Sequence, residues 1–479
     1  MTNTAELAGD ICDEIRLFLF EKKIEAVTDI PGEGYVLVHH FAERNGRFVN
    51  RAQLFLDGDA VAQCKQASEA PAPGDDLLYK KLKKRSVKIC VYQCLKDYFK
   101  REKPWGNLTG IRPTKLLRDT AEELGMEEAR RLFRQEFDVS LEKLQLAEEI
   151  CANQKDVLDS IGENSLDVYI GIPFCVTKCA YCSFASSIVS QGGETEAAYQ
   201  ERLLWEIEQC RPILEGKQVR SVYIGGGTPT SFFAALLRPI VEQGARLGGR
   251  EFTVEAGRPD TITEEKLRML RDCGVDRISI NAQTTNDATL RTIGREHTAA
   301  QFFEAFRMAR QIGFSVINTD LIAGLPGEGV AEFQKSLADV LALGPENITV
   351  HTLAIKRASK FGMENEKTFA EAEEIEEILE RSRAALAENG YAPYYMYRQK
   401  YMTGNMENVG YAKPGAVCVY NIDMMEEACS ILALGAGAIS KRIYLGENRI
   451  ERAPNVKDIA SYLERTDEMV ERKRRLFCP

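Results

Sequence analysis

No stretch of this sequence stays apolar for the length that a membrane span requires. The opening residues, Met1 to Asp10, hold neither the basic patch nor the apolar run of a secretion signal. Positive charge is in deficit: 62 Lys and Arg against 72 Asp and Glu give a formal net charge of -10. That balance argues against a general nucleic-acid binder while permitting a local basic pocket. The 13 cysteines are odd in number and scattered, which points away from a disulfide framework and toward reduced thiols in a cytoplasmic chain. What is present is an ordinary globular composition, 44% hydrophobic and 28% charged, over 479 residues. That length accommodates two or three domains with cores of their own.

The most informative stretch is YIGIPFCVTKCAYCSF, from Tyr169 to Phe184. Cys175, Cys179 and Cys182 stand on a loop directly after a strand-like apolar run, Leu166 to Gly171. Three clustered thiolates would hold three irons of a cubane iron-sulfur cluster and leave the fourth open for chemistry. Structural zinc is the alternative, but it takes four closed ligands. No fourth Cys or His lies in the loop, and Cys151 and Cys210 lack a knuckle spacing. Inert packed cysteines are the other alternative, and three within one short Pro-containing loop fit that poorly.

Residues 1–66 read as an α+β segment. A helical pattern (Leu7, Ile11, Ile15, Phe18, Leu19) precedes two alternating strands, Tyr35 to Phe41 and Phe48 to Leu56, joined through Asn45-Gly46. Ala67 to Asp75 has linker composition. Residues 76–161 read as a basic helical connecting region, with Lys80, Lys81, Lys83, Lys84, Arg85 and Lys88 in its first helix. Such a run is either a solvated face or a surface for an acidic partner or anionic substrate. Trp105, in PWGNLTGIRPTKLL, reads as a packing residue at a turn.

Residues 162–360 alternate strands with helices. The strands are expected at 166–171, 219–225, 251–256, 275–281, 314–322 and 347–353. Six such units predict an α/β fold with a parallel sheet, a partial TIM-like (β/α)6 barrel. The unusual residues fall at the carboxyl ends of those strands: the cysteine loop, GGGTPT at 225–230, Glu255, Asn281 and Gln283, Asp320, and Ala354. Barrels of this kind place their sites there. Singly, each has a plain structural reading, such as a carboxylate capping the next helix. Residues 361–479 read as a small C-terminal domain containing the aromatic run YAPYYMYRQKYM and the glycine-rich LALGAGAIS.

The three-cysteine loop with Tyr169 and Tyr181 resembles the radical S-adenosylmethionine (SAM) enzymes. YIGIPFC narrows the resemblance to the oxygen-independent coproporphyrinogen III dehydrogenase group, and the phrase around Trp105 to its HemZ-type branch. The resemblance covers about Asp167 to Ser440 and includes GGGTPT, the Gln283 to Arg295 interval and DLIAGLPGE. It implies a 4Fe-4S cluster on Cys175, Cys179 and Cys182. It assigns SAM contacts to Tyr169, Tyr181, Gly226, Gly227, Thr228, Glu255, Gln283, Arg295, Asp320 and Ala354. A glycine run lets backbone groups approach the methionyl end closely, while Glu255, Gln283, Asp320 and Arg295 suit its amino, hydroxyl and carboxylate groups.

The implied reaction is oxidative decarboxylation of two propionates of coproporphyrinogen III to vinyls, giving protoporphyrinogen IX in haem biosynthesis. It requires an electron donor such as a flavodoxin or ferredoxin. Lys356, Arg357, Arg398, Lys400 and Lys413 are candidate propionate partners. The chain departs from the dehydrogenases at Phe184, where they carry a further cysteine and the haem chaperones of the group do not. Its first 150 residues also do not reproduce their N-terminal arm. A haem-binding chaperone, or a radical SAM enzyme acting on another tetrapyrrole, therefore stands beside the dehydrogenase.

Overall fold

The computed structural model describes the whole chain except residues 20, 21, 73, 111, 191, 365–368, 400, 401, 448 and 479. The chain divides into two units: Met1–Glu148 with Gly404–Met406, and Glu149–Thr403 with Glu407–Pro479.

The first unit contains an antiparallel meander of β1 (Tyr35–Arg44), β2 (Arg47–Leu56) and β3 (Asp59–Glu69). Both connections are two-residue turns in left-handed backbone: Asn45 and Gly46 at φ 51° and 69°, Asp57 and Gly58 at φ 52° and 90°. That geometry matches the twist of paired strands and suits Asn-Gly and Asp-Gly. Strand β3 corrects the expectation of a linker from Ala67, because pairing with β2 carries it to Glu69. One face of the sheet packs Leu37, Ala52 and Leu54 against Val87, Cys90, Val91, Cys94 and Leu95 of the helix Asp76–Phe99. Ile11 of the helix Ala8–Phe18 joins this core.

The basic run of that long helix is largely consumed inside the unit. Lys83 pairs with Glu6 at 2.8 Å, Lys84 with Asp10 at 2.6 Å and Lys88 with Glu14 at 3.1 Å, while Arg85 lies over the Phe137 ring. The reading of this run as a surface for an acidic partner is overturned at these four positions. Trp105 is 1% exposed. The next residue, Gly106, has φ 51°, and a Cβ there would overlap the Phe137 carbonyl.

The second unit is organised by one 11-stranded sheet. Its strands are β4 (Ser165–Ile172), β7 (Gln218–Gly226), β8 (Glu251–Glu255), β9 (Arg277–Ser279), β10 (Val316–Ala323), β11 (Asn347–Thr352), β12 (Ala392–Tyr397), β13 (Asn408–Ala412), β14 (Ser430–Leu434), β15 (Ile439–Tyr444) and β16 (Arg449–Pro454). A short separate pair joins β5 (Phe174–Cys175) to β6 (Ser187–Ile188). The order is β12-β13-β11-β10-β9-β8-β7-β4-β14-β15-β16. The six strands from β4 to β11 run parallel to their neighbours, which makes this a mixed α/β fold with the expected partial barrel. The crossovers are the helices Glu194–Cys210, Ala234–Arg246, Glu264–Asp272, Ala299–Ile312 and Val330–Leu343. Parallel strands need such connections, and the helices cover the apolar faces of strands like β4, in which seven of eight residues are buried.

The C-terminal segment contributes β12 to β16 to this same sheet, with β14 parallel to β4. A buried polar hub secures it. Glu206 accepts hydrogen bonds from Gly435 N at 2.7 Å, Tyr462 Oη at 2.6 Å and Lys473 Nζ at 2.6 Å, and both members of the Glu206–Lys473 pair are fully buried. Tyr199 donates to Gly171 O and accepts from Ala436 N, tying the LALGAGAIS turn to the end of β4. Among the described residues no helix is long and apolar enough to cross a membrane.

Candidate functional site

A cavity of about 260 Å³ opens at the carboxyl ends of the six parallel strands. Its wall contains all three loop cysteines with Tyr181, Gly226, Gly227, Thr228, Glu255, Gln283, Arg295, Asp320 and Ala354. Residues spread over 180 positions are thus brought together as the strand-end pattern predicts. Tyr169 is the exception. Its ring lies off the wall, stacked with Tyr223 and Tyr420 at centroid distances of 6.3 and 6.1 Å. Gly171 leaves room for it: a Cβ there would meet Tyr169 Cε1 at 3.3 Å.

The cysteine loop is held from several sides. Ala180 N donates to Ile293 O at 2.9 Å, Phe361 N donates to Ala180 O at 3.1 Å, and Cys182 N donates to Cys179 O at 3.1 Å. Arg258, which the sequence reading passed over, is the strongest anchor. It is 2% exposed, forks onto Asp260 at 3.0 and 2.7 Å, and donates to Thr177 O and Oγ1 at 3.1 and 2.6 Å. Thr177 in turn donates to Gly294 O. The glycine loop clamps the start of the cysteine loop: Gly227 N donates to Ile172 O and Thr228 N to Phe174 O. Gly226 sits at φ 124°, with its missing Cβ 3.0 Å from the Ile172 backbone. Close approach of two backbones therefore requires glycine here.

The polar wall is prepared for a charged ligand. Glu255 accepts from Tyr223 Oη at 2.6 Å and from Gly226 N at 3.3 Å. Burial, with the Asp320 charge nearby, pushes its carboxyl up to about 7 despite the Tyr223 hydrogen bond. Burial also works to raise Asp320, but His351 at 3.7 Å and the Asn318 amide at 2.9 Å hold it below the usual range. Gln283 occupies left-handed backbone, φ 65°, and its N–H donates to Asp320 O at 2.8 Å. Its buried Oε1 has no partner among the described residues. A non-glycine residue in that conformation with an orphaned acceptor makes Gln283 a candidate for a ligand contact. Arg295, also buried, donates to Asn281 O at 2.9 Å. Burial works against its charge, but Tyr181 and Cys179 keep it firmly protonated.

The cysteines fit an iron-sulfur cluster better than one ion. A single zinc, with bonds of about 2.3 Å to sulfur, would draw its ligands within roughly 4.6 Å of one another. Among the described residues only Asp167, Asp423 and Cys429 form a ligand group within 4.8 Å, so the three loop thiols stand wider apart. Burial raises the Cys175 and Cys182 thiols, a state that ligation reverses.

The candidate propionate cations separate clearly. Lys356 lines the cavity, and Lys400 lies outside the described residues. Arg357 is exposed and Arg398 buried, and neither lines the wall. Lys413 is corrected: it donates to Gly344 O at 3.1 Å and lies over Tyr391, at the start of β11 rather than its end. The reading also missed His351 and Tyr397 on the wall. His351, one of four histidines, carried a signal in its place near the end of an expected strand.

Fold and site together define a radical SAM protein, and the Radical SAM superfamily model matches residues 169–340. The chain is 43% identical over 389 residues to the oxygen-independent coproporphyrinogen-III oxidase-like protein HemZ of Bacillus subtilis, covering 78% of this chain and 77% of that protein. It belongs to that coproporphyrinogen-III oxidase-like family of radical SAM proteins, and its cofactors are accordingly a 4Fe-4S cluster and SAM. It is also 31% identical over 284 residues to the heme chaperone HemW of Haemophilus influenzae, covering 58% of this chain and 70% of the relative. Among solved structures, the coproporphyrinogen III oxidase HemN of Escherichia coli superposes with a TM-score of 0.53 at 24% identity, covering 67% of this chain and 73% of that one. That likeness concerns the fold.

Proposed function

We propose that the protein is an oxygen-independent coproporphyrinogen III dehydrogenase, converting two propionates of the tetrapyrrole to vinyls. The observation that carries this is the convergence of all six parallel strands, through residues of matching chemistry, on one cavity beside the cysteine loop. Similarity to HemZ over most of the chain supports it.

In this reading Cys175, Cys179 and Cys182 hold the cluster, with Arg258 and Thr177 fixing the loop between the first two ligands. Glu255 and the Gly226-Gly227-Thr228 backbone take the methionyl end of SAM, Gln283 and Asp320 take its hydroxyls, and Arg295 takes its carboxylate. When bound, the two cofactors would supply one-electron chemistry able to remove a hydrogen atom from a substrate carbon. The protein's part is to position one propionate methylene in the cavity and keep water out. Lys356 offers the cavity wall a cation for a substrate carboxylate. Each round removes one hydrogen atom, which leaves in 5'-deoxyadenosine, one carbon dioxide, and one electron, which must pass to a one-electron acceptor. An electron donor of flavodoxin or ferredoxin type and a cytoplasmic setting complete the reading, in keeping with 13 free cysteines.

A heme chaperone is the second reading. Phe184, 68% exposed at the cavity, and similarity to HemW favour it. Anaerobic incubation of reconstituted protein with SAM, reductant and coproporphyrinogen III separates the two. Stepwise loss of two carboxyl groups, abolished in Cys179→Ala, is the expected outcome; stoichiometric haem retention without porphyrinogen consumption would replace the dehydrogenase by the chaperone.

A further inference from the structure

The first unit presents a second sheet face, opposite its helix-covered side, whose cations are left without carboxylates. Register fixes the arrangement. Arg51 on β2 stands directly opposite His40 on β1 and Lys65 on β3, forming one row across the sheet. Four residues further along, Arg44 stands opposite Arg47, forming a second. Between them lies the row Ala42, Val49 and Ala67. At about 3.4 Å per residue the cationic rows are separated by roughly 14 Å. His40, Arg44, Arg47, Arg51 and Lys65 are all exposed, and among the described residues none of the four Arg and Lys side chains forms an ion pair within 4.0 Å. Glu69, opposite Arg47, is the only acidic residue in these rows.

This pattern is costly without a ligand, because like charges directly opposite on a sheet destabilise it. The neighbouring helix of the same unit shows the contrast, since its Lys83, Lys84 and Lys88 are each supplied with a carboxylate. In a chain of net charge -10, an unneutralised cationic face is a local exception to the overall balance. Between the two rows of long cationic side chains stands one row of shorter apolar ones, Ala42, Val49 and Ala67. An occupant complementary to it is flat and apolar at its centre with carboxylates on its rim. Single-stranded nucleic acid fits less well, because His40 is the one aromatic ring in these rows, and single-strand sites stack successive bases on several rings.

We propose that this face binds a polycarboxylate tetrapyrrole, holding it through Arg51 and Lys65 on one bank and Arg44 and Arg47 on the other. The proposal rests on the tetrapyrrole reading above and assigns a binding role to the unit outside the radical SAM fold. Binding is expected to weaken with ionic strength, as exposed charge pairs do.

The test is fluorescence titration of the full-length protein with coproporphyrin III and, in parallel, its tetramethyl ester. The double variant Arg51→Glu/Lys65→Glu is compared with Lys80→Glu/Lys81→Glu, which makes the same charge change on the helix. The face variant is expected to bind the tetra-acid about tenfold more weakly, with the ester unaffected and the helix variant like the parent. Arg44→Glu/Arg47→Glu gives a second, independent reading of the other bank. Equal affinity in both face variants and the parent, an equal loss in the helix variant, or tighter binding of an RNA oligonucleotide that the face variants alone lose, would each overturn the proposal. Vinyl formation with binding unaltered by the variants would remove this site and leave the dehydrogenase standing. Weakened binding in a protein that forms no vinyl would do the reverse.

Discussion

Glu255 carries the first prediction of the proposed SAM site. Its carboxyl is pushed up to about 7 by burial, so below that pH it is neutral and cannot pair with the SAM ammonium. SAM affinity should therefore rise with pH and level off above about 7, changing by up to tenfold per unit on the acid side. Tyr223→Phe removes a hydrogen bond that favours the charged form, so the same profile, measured by calorimetric titration, should move to higher pH. A pH-independent affinity would separate Glu255 from the ammonium. Arg258 makes a different prediction. In Arg258→Met the Thr177 anchor is lost, and iron and sulfide content after reconstitution should fall while circular dichroism stays that of the parent. Full retention of a cluster with unchanged electron paramagnetic resonance would show that the loop holds its shape unaided.

Secondary structure and site were legible to different degrees for identifiable reasons. The six parallel strands could be found because each has β-branched or aromatic residues at its centre, alternates with a helical stretch, and is followed by a residue whose chemistry is out of place in a turn. Strand β3 was missed because its inward positions, Ala62, Cys64, Gln66 and Ser68, are small or polar and look like linker. The pairing of β14 with β4 was not readable, since it joins residues some 260 positions apart and strand partnership leaves no local mark. Arg258 escaped for a related reason: its value lies in reaching Thr177, 81 residues earlier. The link between the C-terminal segment and β4 carries its own prediction. Lys473→Met leaves Glu206 buried without its cation, which should cost about 3–5 kcal/mol, read as a lowered denaturant midpoint. An unchanged midpoint would mean that Tyr462, Asn455 and Gly435 satisfy the carboxylate alone.

Taken as one chain, the protein combines a radical SAM sheet extended on both sides by C-terminal strands with an N-terminal unit whose role the sequence left open. The sheet explains why SAM chemistry is available, and the cationic N-terminal face offers a reason for the additional unit. We propose one ligand for both, a tetrapyrrole bearing carboxylates. The most direct test uses coproporphyrinogen III carrying deuterium at the ring-attached carbon of its propionates, the position from which loss of a hydrogen atom allows carbon dioxide to leave, incubated anaerobically with SAM and reductant, with 5'-deoxyadenosine analysed by mass. The account predicts one deuterium in each 5'-deoxyadenosine formed and one vinyl per labelled nucleoside. Unlabelled 5'-deoxyadenosine, formed at the same rate with or without the porphyrinogen, would contradict it.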